Sequence, residues 1–191
     1  MSTGAQRFDP DRVAYYEAAG WRAYYDRRWL RLFRLTASLC QEQFNVPFPM
    51  SLLAAYWIAR GAAAWVPLDH DTGTVLHYYR RFFRLAARYA GLSFDPDRVA
   101  RLEMTYWDVH RRLADHGGDS TLLVHALTEL HAGVFNLTPE QARPSAESRA
   151  AAAAIVDGIT KGRSRNVEGD WARLEEELRA CYRLLQRATA P

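Results

Sequence analysis

A seven-residue stretch that occurs twice decides the fold of this chain. Residues 8–14 read FDPDRVA, and residues 94–100 read FDPDRVA again. Seven consecutive identities indicate that part of the chain has been duplicated. We therefore predict two related halves, residues 8–91 and 94–188, which pack about a pseudo-twofold axis within a single domain that spans residues 1–191.

The similarity between the two copies continues beyond the identical stretch. Glu17 matches Glu103 and Trp21 matches Trp107, so that nine of the fourteen positions from 8 to 21 recur at an offset of 86 residues. The Asp-Pro-Asp of each copy is also a favourable helix start, because Asp caps free amide groups and Pro suits the first turn. Capping does not require a Glu and a Trp inside the helix, and these two residues favour duplication.

Apolar residues recur with the helical period along nearly the whole chain, and no segment alternates convincingly as a strand does. The predicted fold class is all-α, with about seven helices in a single-domain bundle. The predicted helices cover residues 10–44, 51–65, 73–90, 96–115, 120–135 and 145–159, and a last helix begins near residue 170.

Three details of this assignment depend on single residues. Gly20 weakens the middle of the long first helix, where a break is expected to be easiest. Pro144 is predicted to end a short turn, after which Ser145 caps the next helix. The helix over residues 51–65 has Arg60 as its only charged residue, and an apolar composition all round predicts a central, buried position.

The composition narrows the class of protein. The chain has 191 residues, of which 49% are hydrophobic, so it can bury a substantial core. The 25 basic and 22 acidic residues leave a net charge of only +3, which argues against a nucleic-acid partner. Cys40 and Cys181 lie in apolar helical patterns and suggest neither a disulfide framework nor a metal knuckle. The sequence contains no apolar run long enough to predict a membrane span, and a cytoplasmic location is expected.

The duplicated glutamates are the first candidates for chemistry. Each lies beside the apolar stripe of its helix, so Glu17 and Glu103 are predicted to approach each other at the pseudo-twofold axis. Two facing carboxylates with a nearby histidine are typical of dinuclear metal sites in helical bundles. The metal candidates are therefore Glu17, His70, Glu103 and His110, and the expected ion is iron, manganese or zinc.

The same region could instead bind a small molecule. The candidates for that role are Glu17, Tyr106, Trp107 and His131. His131 also fits a simpler description, because it faces the predicted core and a buried histidine is more often a hydrogen-bonded core residue than a ligand.

Two observations oppose the metal hypothesis. Ferritin-like di-iron proteins carry a Glu-x-x-His sequence on two helices, and none of the six histidines here has that spacing. The His70-Asp71 pair lacks the upstream histidine that HD-type phosphohydrolases use. The opposing prediction is that Glu17 and Glu103 form ion pairs with arginines, for which the candidates are Arg60, Arg80, Arg84 and Arg149.

Arginine and aromatic residues alternate in residues 29–34 and 78–84. Such segments can stack nucleic-acid bases or lie on a membrane, but they also occur where arginines flank the core face of a helix. We favour the last interpretation.

Two functions follow as expectations. The first is a helical bundle that binds a small molecule or a metal between its halves, with an oxidoreductase as one form of it. The second is a non-enzymatic interaction or scaffold protein, for example a homodimer, which uses exposed aromatics such as Phe48, Trp57 or Trp65.

Overall fold

A computed structural model describes residues 8–190, and the chain forms eight α-helices and no strand between these limits. The prediction of an all-α bundle is confirmed. No helix among the described residues is long and apolar enough to cross a membrane. The helices are α1 (Pro10–Tyr25), α2 (Trp29–Phe44), α3 (Met50–Trp65), α4 (Thr72–Ala90), α5 (Pro96–His116), α6 (Thr121–Phe135), α7 (Pro139–Thr160) and α8 (Val167–Ala188).

The two copies of the repeated stretch both begin helices. The Asp9 carboxylate accepts hydrogen bonds from the backbone amides of Asp11 and Arg12, at 2.9 and 3.2 Å. The Asp95 carboxylate accepts one from the amide of Asp97, at 2.9 Å. In each copy the proline is the first helical residue, where its missing N–H costs nothing.

The helix predicted over residues 10–44 is two helices, which raises the count from about seven to eight. The break does not fall at Gly20, which is buried inside α1. It falls after Tyr25, where Arg27 takes a positive φ of 56° and the Arg28 amide donates to the carbonyl of Ala23 at 2.8 Å. These bonds close the end of α1 and start α2 in a new direction.

The helix break predicted at Pro144 is absent. Helix α7 begins at the capping box formed by Thr138 and Gln141, and it runs through Pro144 without interruption. The proline lies near the start of the helix, where only one early carbonyl loses its intrahelical donor. Ser145, which was predicted to be a cap, is buried, and its hydroxyl donates to the Ala142 carbonyl at 2.7 Å.

The helices pack in the order of the chain. Each helix contacts the next one, and α1 also contacts α8, so the sequence of neighbours closes into a ring. One continuous core connects all eight helices. The order of contacts along α1–α4 recurs along α5–α8, as a duplicated chain predicts, and the pseudo-twofold relation remains a prediction.

Candidate functional site

Arg149 of α7 lies at the centre of a buried polar cluster. Its guanidinium holds the Glu17 carboxylate of α1 with two contacts, at 2.5 and 2.9 Å. The Tyr182 hydroxyl of α8 donates to the same carboxylate at 2.5 Å. The side chains of Glu17 and Arg149 are only 6% and 14% exposed. This is a buried, bidentate ion pair with an additional hydroxyl donor.

Aromatic side chains surround the ion pair. The Arg149 guanidinium lies 5.8 Å from the ring of Trp21 and 5.7 Å from the ring of Tyr106, which is within the range of cation–π attraction. Burial raises the pKa of the Tyr106 hydroxyl and of the Cys181 thiol to about 12. Both groups are therefore neutral at pH 7 and leave the charge of the cluster to Arg149 and the glutamates.

His131 of α6 borders the same cluster as a neutral, hydrogen-bonded core residue. Its Nδ1 lies 2.7 Å from the Ser145 hydroxyl oxygen. Since the single proton of that hydroxyl goes to the Ala142 carbonyl, Nδ1 of His131 is the donor in this contact. Burial, helped by the positive charge of Arg149, lowers the pKa of His131 to about 3.

Glu103 of α5 lies in a different environment from Glu17. Its carboxylate accepts a hydrogen bond from the indole N–H of Trp107 at 2.8 Å. Burial raises the pKa of Glu103, while the Trp107 bond and the charge of Arg149 lower it and the charge of Glu17 raises it further. Arg149 is thus a positive neighbour of both glutamates but forms its ion pair with Glu17.

The region around Glu103 is largely aromatic. The ring of Trp107 meets the rings of Trp65 and Tyr79, with centroids 5.0 and 5.8 Å away. The Arg111 guanidinium stacks on Trp65 at 3.2 Å. The Tyr79 hydroxyl is buried and makes no hydrogen bond with any residue between 8 and 190.

The other metal candidates have contacts that do not resemble a metal site. His70 places Nδ1 2.9 Å from the Pro67 carbonyl. His110 stacks on Tyr106 and places Nε2 3.5 Å from the Asp157 carboxylate. Within the described part of the chain, no three His, Cys, Asp or Glu residues are grouped as metal ligands.

The opposing prediction of arginine partners describes Glu17 correctly, through Arg149. Arg60 is exposed and donates to the Tyr78 hydroxyl at 3.3 Å instead. Arg80 and Arg84 share the Asp97 carboxylate. Sequence reasoning missed Tyr182 as the second donor to Glu17, and nothing in its local pattern distinguishes it from other apolar positions of α8.

The structure corrects the prediction that the helix over residues 51–65 is buried all round. Helix α3 packs against α2 and α4, and the remaining side is open to solvent. We call this side the α3 face. Its apolar members are Phe48, Leu52, Leu53, Tyr56, Ala59, Ala63 and Val66, all of them exposed. The exposed Arg60 lies on the same side, at the edge next to α4, where it contacts Tyr78.

A row of basic residues lies along the neighbouring helix α4, and we call it the α4 basic stripe. It consists of His77, Arg81, Arg84 and Arg88, which are exposed at the helical spacing of one face. The three arginines, with Trp57 and Leu85, line an open groove of about 280 Å³. The Arg81 guanidinium lies 5.9 Å from the Trp57 ring, so the stripe adjoins α3 directly.

Comparison of the chain with protein-family models, with curated proteins and with solved structures gives no match.

Proposed function

We propose that this protein works by binding another protein through the α3 face, as a non-enzymatic interaction module. The observation that carries the proposal is the row of exposed apolar side chains along α3. Phe48 is 71% exposed and Tyr56 is 47% exposed, while Arg60 is the only charged residue of the helix. A contiguous exposed apolar surface is characteristic of a binding site for another macromolecule.

The spacing of the α3 face supports a helical partner. Leu52, Tyr56, Ala59, Ala63 and Val66 follow one another at intervals of three or four residues, so they form a continuous stripe along the helix. Such a stripe matches the way in which an amphipathic helix docks into an apolar groove.

Apolar exposure is concentrated in one half of the molecule. Eleven of the thirteen large apolar side chains that are exposed among the described residues precede residue 92. The two in the other half are Leu122 and Val167, and they lie on different helical segments. Five of the eleven belong to the α3 face, and four others, Tyr24, Tyr25, Trp29 and Leu30, lie around the turn between α1 and α2. The α3 face is thus the larger of two groups of exposed apolar side chains in this part of the chain.

The buried cluster supports this proposal over a ligand or metal site between the halves. Arg149 and Tyr182 satisfy the Glu17 carboxylate, and His131 is paired with Ser145, while Arg149 Nε is buried without a hydrogen-bond partner among the described residues. A ligand that entered there would have to replace a buried ion pair, which is costly when one partner is left unpaired.

The test compares three tagged proteins as baits in an extract of the source cells. The first is unchanged, the second carries Leu52→Glu and Tyr56→Glu, and the matched control carries Leu122→Glu and Val167→Glu. We expect one protein, identified by mass spectrometry and then purified, to bind the first and third baits and to lose at least tenfold in affinity for the second.

Circular dichroism of each bait separates loss of binding from loss of folding. Equal binding of the purified partner to all three folded baits would overturn the proposal. A dimer in sedimentation equilibrium that dissociates with Leu52→Glu and Tyr56→Glu would make a second copy of the chain the partner.

A further inference from the structure

We infer that the segment bound by the α3 face is an acidic amphipathic helix, whose carboxylates lie along the α4 basic stripe. This inference rests on the proposed function and names the chemistry of the partner. It depends on the position of the stripe beside the α3 face, on the lack of ion-pair partners for two of its arginines, and on the uneven charge of the two edges.

The basic stripe runs beside the most apolar part of the α3 face. Helices α3 and α4 are consecutive. Gly61 of α3 faces Tyr79 of α4, and a Cβ added to this glycine would lie 3.0 Å from the tyrosine ring. Trp57 shares its groove with Arg81 and Arg88. The chain directions are therefore antiparallel, and the arginines lie beside the N-terminal half of α3, where Leu52, Leu53 and Tyr56 are exposed.

Two arginines of the α4 basic stripe are available to pair with carboxylates of a partner. Arg81 and Arg88 are exposed and form no ion pair with any residue between 8 and 190, whereas Arg84 shares Asp97 with Arg80. Arg88 follows Arg81 by seven positions, which is about 10 Å along a helix. Carboxylates at the same spacing on a bound helix would meet both guanidinium groups.

The two edges of the α3 face differ in charge. The α4 edge carries the three exposed arginines of the basic stripe. The other edge adjoins α2, where the neutral Gln41 donates to the Ser51 hydroxyl at 2.8 Å and where Arg34, seven positions earlier, is exposed. The denser basic charge along α4 matches a protein helix with one acidic flank.

A second copy of the chain complements this surface less well. It would bring the same arginines to the interface, and its own α3, from Met50 to Trp65, contains no carboxylate to pair with them. Charge complementarity sets the choice of partner more than apolar area does, because apolar surfaces of similar size bind one another with little discrimination. An acidic helix therefore fits best.

The experiment uses a fluorescent peptide of about 18 residues, cross-linked so that it stays helical. Leucines form one face and glutamates follow one flank, and a matched peptide has glutamine at every glutamate position. Binding to the full chain is measured by anisotropy in physiological salt. The protein variant is Arg81→Gln with Arg88→Gln, and the control is Arg101→Gln with Arg112→Gln on the exposed side of α5.

We expect the glutamate peptide to bind about tenfold more tightly than the glutamine peptide. The Arg81→Gln, Arg88→Gln variant should remove this difference, and the control variant should keep it. Added salt should weaken the binding of the glutamate peptide and leave the binding of the glutamine peptide almost unchanged. Only the glutamate peptide binds through charges, which salt screens.

The other possible results of the peptide experiment would overturn the acidic helix as the partner. Equal binding of both peptides, abolished by Leu52→Glu with Tyr56→Glu, would overturn the acidic partner and leave the proposed function intact. Absence of binding by either peptide would also overturn the inference. Anionic vesicles that bind through Arg81 and Arg88 while the peptides do not would identify a membrane surface. Failure of the proposed function itself is seen separately, in the bait experiment.

Discussion

The two copies of the repeated sequence place the same glutamate in two different environments. Glu17 is held by a bidentate arginine and a tyrosine hydroxyl, so its charge is fully compensated. Glu103 accepts one indole N–H and lies among aromatic rings, and burial raises its pKa. The comparison shows that a repeated residue acquires its properties from the helices that pack around it.

The difference arises in the helix that supplies the cation. Arg149 of α7 is buried and reaches Glu17, whereas Arg60, the arginine of α3, is exposed and contacts Tyr78. Gly61 of α3 packs so closely against the ring of Tyr79 that even a Cβ there would lie 3.0 Å from the ring. One glutamate has its ion pair, and the other accepts a hydrogen bond from the neutral indole of Trp107.

The two tyrosines that accompany the glutamates differ in the same way. Tyr182 of α8 donates to Glu17. Tyr79 of α4 lies near Glu103. Burial raises the pKa of the Tyr79 hydroxyl, and the negative charge of Glu103 raises it further. The Tyr79 hydroxyl has no hydrogen-bond partner among the described residues. A buried polar group without a partner carries its full desolvation cost.

The largest expected effect is that of Arg149→Met. It leaves the Glu17 carboxylate buried without a cation, and the free energy of unfolding should fall by about 3–5 kcal/mol in urea denaturation. Arg60→Met, at the exposed arginine of α3, should change it by less than about 0.5 kcal/mol. A loss below about 1 kcal/mol for Arg149→Met would show that the ion pair contributes little. Adding Glu17→Met to Arg149→Met should recover part of the loss.

The second comparison is between the two tyrosines, where the expected loss of unfolding free energy is smaller. Tyr182→Phe removes a hydrogen bond to a buried carboxylate and should cost about 1.5–3 kcal/mol of unfolding free energy, whereas Tyr79→Phe removes an unpartnered hydroxyl and should be neutral or stabilising. Urea denaturation of both variants under the same conditions measures the difference. Equal costs at the two positions would contradict the contrast between the two environments.

The smallest expected effect is the contribution of Glu103 to the pH dependence of the unfolding free energy. Its folded-state pKa is raised above the ordinary value of 4.5, so the stability linked to this group is fully present below that value and is lost as pH rises through the folded pKa. Glu103→Gln keeps an acceptor for Trp107 and removes this loss. Its unfolding free energy, relative to the unchanged protein, should therefore increase as pH is raised from acid to neutral.

Glu177→Gln is the matched control for this measurement, because it removes one carboxylate from α8 outside the buried cluster. It separates the effect of the Glu103 environment from the effect of removing one carboxylate from the protein. The opposite slope for Glu103→Gln would mean that the Glu103 carboxylate is stabilised in its charged form.

The sequence predicted part of the candidate site. It identified Glu17, Tyr106 and His131 as residues beside the core, and it named Arg149 among the possible partners of the glutamates. It did not identify Tyr182 as a donor or Ser145 as the partner of His131. Both contacts join residues on different helices, and the periodicity of one helix contains no information about the side chains that a neighbouring helix brings to it.

The sequence alone determined the helical class and the helix starts at Asp9 and Asp95, because periodicity and capping act between residues a few positions apart. Only the tertiary structure decided that α3 has an open apolar side, and that Arg149 pairs with Glu17 and not with Glu103. Burial and ion pairing depend on which helices meet. The same local sequence can therefore lie beside a cation in one half of the molecule and beside aromatic rings in the other.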